Sequence, residues 1–229
     1  MINSPRHKLK ALTLCATLLS LTSCEMTEIV SNHLDGLKSD MFEHIDEKYL
    51  NMVLWDLHND LNDAALATLG KIRTPAYRQV ALKEIAKYLR INPLSRDKME
   101  EFAKIFDEDV SSMTNVTNQL VYTVISSNLW HPINPELSNQ RIAQIESLLD
   151  IQVESVSKAE LLYELTYFHL HCSGDNTKVG EYLDSLQALF KRLPLSQYSQ
   201  EIWADAKDLI TDYTLQQLNT EDNEGSFNE

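Results

Sequence analysis

Three side chains that bind zinc in other proteins lie close together in the second half of the chain: His169, His171 and Cys172. Zinc needs its ligands to converge on one point. Residues two apart on a helix point to nearly opposite sides, so the two histidines cannot share an ion while the helix continues. The spacing therefore favours a helix end with polar side chains, and we predict no metal site.

Other groups that could do chemistry have simpler explanations. Residues 56–63 are rich in oxygen ligands but lack the glycine and glutamate that a calcium loop requires. The adjacent carboxylates at residues 100–101 and 107–109 fall on the polar side of an amphipathic pattern, where solvent explains them. Motifs of hydrolases, zinc proteases and phosphate-binding loops are missing from the sequence. We therefore predict no catalytic residue, no cofactor and no enzymatic activity.

Tryptophans are the remaining candidates for a binding role, because this residue is enriched at interaction hot spots. Trp130 lies at a predicted helix end, just before a turn bounded by Pro132, and is the best candidate for contacting a protein partner. The alternative is that its ring closes the core at that turn. Trp55 and Trp203 fall within apolar stripes and are expected in the core.

Apolar residues recur with helical spacing along the chain after residue 39. Between residues 74 and 90 the apolar positions are Tyr77, Ala81, Ile85 and Leu89, four residues apart. Similar stripes occupy residues 95–110 and 176–193. Prolines fall between these segments or at their starts, at Pro75, Pro93, Pro132, Pro135 and Pro194. The two-residue alternation of a strand is missing, so the sequence predicts an all-α fold.

From Thr74 onward, polar residues that can start a helix recur at steps of 19 to 21 residues. The predicted starts are Ser39, Asn59, Thr74, Ser95, Thr114, Asn134, Ser155, Asn176 and Ser196. Helices joined by short turns pack as antiparallel neighbours. This period resembles HEAT-type repeats more than tetratricopeptide repeats, and residues 81–86 resemble a phrase of helical-hairpin repeats. The resemblance implies hairpins stacked as an α-solenoid; an irregular helical bundle is the alternative.

The expected organisation after residue 39 is one helical repeat domain over residues 39–219. Residues 155–172 are apolar on nearly every face, which predicts a helix buried on all sides. Residues 220–229 are acidic and polar, and we expect a disordered tail. The net charge of −14 argues against nucleic-acid binding, which needs a basic surface.

The N-terminal residues have the three regions of an export signal. Arg6, Lys8 and Lys10 form a basic start, and an apolar run over residues 11–21 follows. That run is too short to cross a bilayer, which needs about 20 residues. It ends in Leu21, Thr22, Ser23 and Cys24, which resembles the lipobox of bacterial lipoproteins.

This resemblance implies lipid attachment to the Cys24 thiol and cleavage just before it. Residues 1–23 would be the signal peptide and residues 24–38 the tether. Fatty-acyl groups such as palmitate would hold the protein on a membrane. Glu25 follows the cysteine, and in Gram-negative lipoproteins the absence of aspartate there implies the outer membrane, facing the periplasm. Cys172 would then be the only thiol, so no internal disulfide is expected.

These expectations favour a non-enzymatic lipoprotein whose helical body binds a protein partner in the cell envelope, as a scaffold or assembly factor. An inhibitor or immunity-type lipoprotein that blocks a periplasmic enzyme is the alternative, because an acidic surface suits a basic target. An envelope hydrolase is the third hypothesis. The membrane is contacted through the lipid on Cys24, and neither a nucleic acid nor a small-molecule substrate is expected.

Overall fold

The structure, a computed structural model, describes residues 44–194 and 196–225, with side chains through residue 217. Regular structure in these ranges is entirely helical, which confirms the all-α prediction. Cys24, the signal peptide and the predicted tether lie outside the described residues. Within the described ranges no helix combines the length and the hydropathy needed to cross a bilayer.

Nine α-helices and one π-helical turn follow each other in the described residues. Their bounds are α1 (44–58), α2 (Asn62–Leu69), α3 (Pro75–Ile91), α4 (Arg96–Ser112), α5 (Val116–Trp130), α6 (Pro135–Glu146), α7 (Val156–Phe168), the π-turn (His169–Ser173), α8 (Asn176–Phe190) and α9 (Gln197–Gly225). The last helix continues past residue 220 to Gly225, since no proline or earlier glycine interrupts it, and the disordered tail expected over residues 220–229 stays a prediction.

The single helical repeat domain expected over residues 39–219 stays a prediction, while the chain divides into two compact units. They are Met1–Ala81 and Leu82–Glu229, so the division falls inside α3. A continuous helix contains no proline, glycine or polar linker at this point, and the sequence pattern therefore gave no sign of the division.

The first unit has a small core that includes Val53, Leu57 and Ala65. Asp46 accepts hydrogen bonds from the backbone amides of Thr74 (2.7 Å) and Arg73 (3.2 Å), which ties α1 to the two residues just before α3. Trp55, which was expected in the core, is 61% exposed. It lies two residues from both Val53 and Leu57, so it points away from the helix face that these residues bury.

In the second unit, neighbouring helices and next-neighbour helices pack against each other. α5 packs against α4, α6 and α7, while α7 packs against α5, α8 and α9. Helices α8 and α9 also pair. This order of contacts is expected for stacked hairpins. A helical bundle with antiparallel neighbours gives the same order, so both architectures agree with it.

Helix starts in the second unit follow the predicted period closely. Asn115, Asn134, Ser155 and Asp175 each accept a hydrogen bond from the amide three residues ahead. Two of these caps, Asn115 and Asp175, lie one residue from the predicted positions Thr114 and Asn176. The carboxamide and carboxylate side chains reach the amide of the first turn at those neighbouring positions.

Helix α7 is buried, as the sequence predicted, but its buried face contains two carboxylates. Glu160 and Glu164 are 7% and 6% exposed. Lys83 and Arg90, on the part of α3 that belongs to the second unit, form ion pairs with Glu160 and Glu164 respectively. The hydroxyl of Tyr198 on α9 also donates to Glu160. We call these five residues the charged ladder.

Aromatic rings lie against the two cations of the charged ladder and form cation–π contacts with them. The Arg90 guanidinium lies 4.0 Å from the centroid of the Tyr167 ring, and Lys83 lies over the rings of Tyr122 and Tyr198. Burial raises the pKa of Glu164, and the opposing effect of Arg90 offsets this only in part. The ladder therefore joins α3, α7 and α9 through groups that cannot be separated without leaving a charge in the interior.

Breaking the Arg90–Glu164 pair is expected to destabilise the protein strongly. Glu164→Gln removes the counter-charge of a buried guanidinium and should lower the free energy of unfolding by about 3–5 kcal/mol. The double variant Arg90→Met, Glu164→Leu removes both charges and should recover most of that loss. Denaturant unfolding of the full chain measures the free energy of unfolding of the wild type, of Glu164→Gln and of the double variant.

The exposed pair Lys98–Glu101, 3.0 Å apart, provides a matched control. Replacing both of its members in the same way should not measurably change the free energy of unfolding, because solvent screens an exposed pair. A double variant Arg90→Met, Glu164→Leu that is no more stable than Glu164→Gln would contradict the interpretation.

Candidate functional site

Trp130, the predicted partner-binding residue, is half-buried at the C-terminal end of α5. Its indole Nε1 donates a hydrogen bond to Asp107 Oδ2 on α4 (3.0 Å). Arg141 on α6 binds both oxygens of the same carboxylate at 2.9 Å, and the Ser126 hydroxyl donates to it at 2.6 Å. This cluster joins α4, α5 and α6 at one end of α5.

The polar edge of Trp130 is therefore already used within the protein. A bidentate guanidinium–carboxylate pair is among the strongest side-chain interactions, and it fixes the carboxylate that holds the indole. The binding role of Trp130 stays a prediction, with a structural role now visible beside it. Asp107 was expected on a solvated face, and the structure places it in this ion pair instead.

The predicted helix end at His169, His171 and Cys172 is a π-helical turn. The amide of Gly174 donates to the carbonyl of His169 (2.8 Å), and Gly174 has a φ of 71°, a left-handed conformation that favours glycine. His169 is buried, whereas His171 is exposed and its ring lies against that of Tyr167. In the described ranges no group of three or more His, Cys, Asp or Glu side chains is arranged to hold a metal ion.

His169 belongs to a polar cluster centred on Glu146 at the end of α6. Glu146 Oε1 contacts His169 Nε2 at 2.8 Å and accepts from the Tyr182 hydroxyl at 2.8 Å. Lys178 Nζ donates to Glu146 Oε2 at 2.5 Å. Burial alone would raise the pKa of Glu146, but these hydrogen bonds outweigh it and lower the pKa to about 2. The cluster ties α6 to the π-turn and to α8.

Cys172 is half-buried, and its thiol contacts Asn128 Oδ1 at 3.7 Å. Burial raises the pKa of the thiol to about 11, which the Arg90 charge offsets only in part. The thiol is therefore protonated near neutral pH. From the sequence we expected Cys172 to be a buried small apolar residue at a helix end; the structure leaves it half-buried there, and its raised pKa does not favour a reactive nucleophile.

An exposed apolar surface occupies the connection between α6 and α7. Ile151 is 73% exposed and Val153 is 80% exposed, and Leu148 is also exposed. Val116, the first residue of α5, is 61% exposed at the same end of the unit. We call Val116, Leu148, Ile151 and Val153 the apolar loop surface.

Hydrogen bonds hold this connection in place. Gln152 accepts a hydrogen bond from the Thr117 hydroxyl (3.1 Å) and donates one to the Leu148 carbonyl (3.2 Å). Lys158 Nζ also donates to the Gln152 carbonyl (3.1 Å). Leu149, between the exposed residues, packs on the core. The loop is thus anchored on both sides, so its exposed apolar side chains stay in solvent.

The apolar loop surface lies at the opposite end of α5 from Trp130, about 21 Å away along a helix of this length. Sequence reasoning missed it, although the signal was present. Residues 148–153 place four apolar side chains in a stretch between two helices, where polar turn residues are usual. Asp150 places a negative charge beside the stretch, whereas the carboxylate of Glu154 is paired with Arg192 at 2.7 Å.

The chain matches no family model, and no curated protein or solved structure is significantly similar to it. The interpretation of the site therefore rests on its geometry and chemistry.

Replacing Glu146 is expected to change how stability depends on pH. The folded-state pKa of Glu146 lies below its unfolded value, so the carboxylate stabilises the fold above about pH 5, and this contribution disappears as the pH falls towards 2. Glu146→Gln should cost about 2 kcal/mol at pH 7 and progressively less at lower pH, because charged hydrogen bonds are lost.

Thermal unfolding of the two proteins from pH 7 to pH 2 measures this difference. The exposed residue Glu181 on α8 is the control, since Glu181→Gln removes a carboxylate that has no such hydrogen bonds described. A stability difference for Glu146→Gln that stays constant over this pH range would contradict the assigned role.

Proposed function

We propose that the protein is a lipid-anchored scaffold or assembly factor of the bacterial cell envelope, which binds a protein partner through the apolar loop surface. The lipobox-like residues at positions 21–24 support the anchor, which would be attached at Cys24 and most simply inserted in the outer membrane from the periplasmic side. The proposal needs no catalytic step.

The observation that favours partner binding is a fixed loop with exposed apolar side chains. Large apolar side chains in solvent are unfavourable, and contiguous ones mark interaction surfaces. Ile151 and Val153 are at least 73% exposed even though hydrogen bonds from Thr117 and Lys158 hold the loop. Asp150 borders the surface, whereas Glu154 is paired with Arg192 at 2.7 Å, so the expected partner offers an apolar recess with a basic group opposite Asp150.

An inhibitor or immunity-type lipoprotein would use the same surface, because a basic enzyme cleft also fits an acidic margin. The two functions differ in the number of partners. A scaffold recovers several assembly proteins, whereas an inhibitor recovers one enzyme in equal amount.

Charges introduced into the apolar loop surface are expected to abolish partner binding. Ile151→Asp combined with Val153→Asp places two carboxylates where the partner's apolar recess would close, and recovery of the partner should fall at least tenfold. Both side chains are exposed, so the melting temperature should change little. The measurement is quantitative mass spectrometry of proteins that co-purify from detergent-solubilised membranes.

The matched control is Ile91→Asp. Ile91 is an isoleucine that is 80% exposed at the end of α3, outside the apolar loop surface. This variant should retain the partner. Equal recovery with all variants, or loss with Ile91→Asp as well, would refute binding through the apolar loop surface.

The anchor has its own test. Cells grown with a labelled fatty acid should label the wild-type protein, and Cys24→Ser should abolish the label because no acceptor thiol remains at that position. Cys172→Ser, which removes the other thiol of the mature chain, should leave the label intact. An unlabelled wild-type protein would rule out the lipoprotein assignment while leaving the loop experiment interpretable.

A further inference from the structure

An apolar groove lies between the C-terminal part of α8 and the first half of α9. Its volume is about 420 Å³, in the lower part of the range of about 300–1,000 Å³ that small-molecule sites occupy. Its apolar walls are formed by Phe190, Leu193, Trp203 and Ile210. None of these residues belongs to the apolar loop surface.

The walls of the groove are supported from behind. Phe190, Leu193 and Trp203 pack on the buried cluster that contains Leu162 and Leu189. The rings of Phe190 and Trp203 lie 5.0 Å apart between centroids and are inclined by 50°. Ile210 packs on a second buried cluster. The walls are therefore held in place before any ligand arrives, which lowers the cost of binding.

The charge at the groove is opposite to that of the protein. Among the described lining residues Lys191 is the only ionisable one, although the chain has 34 acidic and 20 basic side chains. A second ammonium group, that of Lys207, lies 5.9 Å from the centroid of the Trp203 ring. Of the carboxylates on this part of α9, Asp205 pairs with Lys87 at 3.1 Å, whereas Glu201 accepts a hydrogen bond from the neutral Gln197; neither they nor Asp208 line the groove.

We propose that this groove binds a fatty acid, with the acyl chain against Phe190 and Trp203 and the carboxylate at Lys191. Apolar walls match the chain, and each buried methylene group favours binding. A lysine at the margin supplies a counter-charge for one anionic head group while remaining in contact with water. Such a ligand is a small amphiphile, so this site is separate from the proposed protein-binding surface.

The test uses lauric acid that carries a photoactivatable diazirine near the end of its chain. It is added to isolated membranes that contain the full-length protein, irradiated, and the labelled peptides are identified by mass spectrometry. Label should concentrate on residues 187–210, and excess unmodified laurate should compete for it. Label distributed over exposed apolar positions elsewhere in the chain would refute the site.

Two variants test the contributions of the acyl chain and of the head group to binding separately. Gln200→Trp fills the groove at an exposed lining position and should reduce the labelling at least fivefold. Lys191→Gln should reduce labelling by the acid about fivefold but leave labelling by the matching diazirine alcohol unchanged. Lys104→Gln, at an exposed lysine on α4, is the control and should leave both unchanged.

Each remaining outcome contradicts the proposal. Equal labelling of wild type and Gln200→Trp would show that the groove is not the site, and an equal effect of Lys191→Gln on acid and alcohol would refute the role of the carboxylate. If no label appears and Gln200→Trp instead loses co-purifying proteins, the groove binds a protein. Ile151→Asp should retain the label, so failure of either proposal is distinguishable from failure of the other.

Discussion

The pairing of buried charges on α7 is the constraint on which the second unit depends. Glu160 and Glu164 lie on α7 among buried residues that are mostly apolar, and a carboxylate in such surroundings requires a counter-charge. Lys83 and Arg90 supply it from α3, and Tyr198 adds a hydrogen bond from α9. The two ion pairs therefore link α3 to α7 at two points, Lys83 with Glu160 and Arg90 with Glu164, and they add a directional constraint that apolar contacts do not supply.

Two further carboxylates organise the ends of the helices in the same way. Asp107 collects donors from α5 and α6, and Glu146 collects donors from the π-turn and α8. Each is satisfied by at least three side chains, which leaves it little capacity to react with a ligand. Residues that look catalytic in isolation, such as His169 and Asp107, are therefore committed to joining helices.

Two surfaces of the second unit remain available for binding, and they differ from each other in shape and in charge. The apolar loop surface lies on an exposed connection beside the acidic Asp150, whereas the groove between α8 and α9 is concave and has a lysine at its margin. An exposed apolar surface of this kind fits a protein partner, and a concave one fits a small amphiphile. Protein binding and lipid binding would then use separate elements of one helical scaffold.

The sequence by itself determined the all-α class, the period of the helix starts and the burial of α7, because these depend on local spacing of apolar and capping residues. It did not determine the exposure of Trp55, the ion pair of Asp107 or the partners of Glu160 and Glu164. Those depend on which faces meet across 19 to 77 residues of chain, and only tertiary packing brings such distant residues together. Tertiary packing also determines the apolar loop surface and the groove, because a side chain is exposed only where the rest of the fold does not cover it.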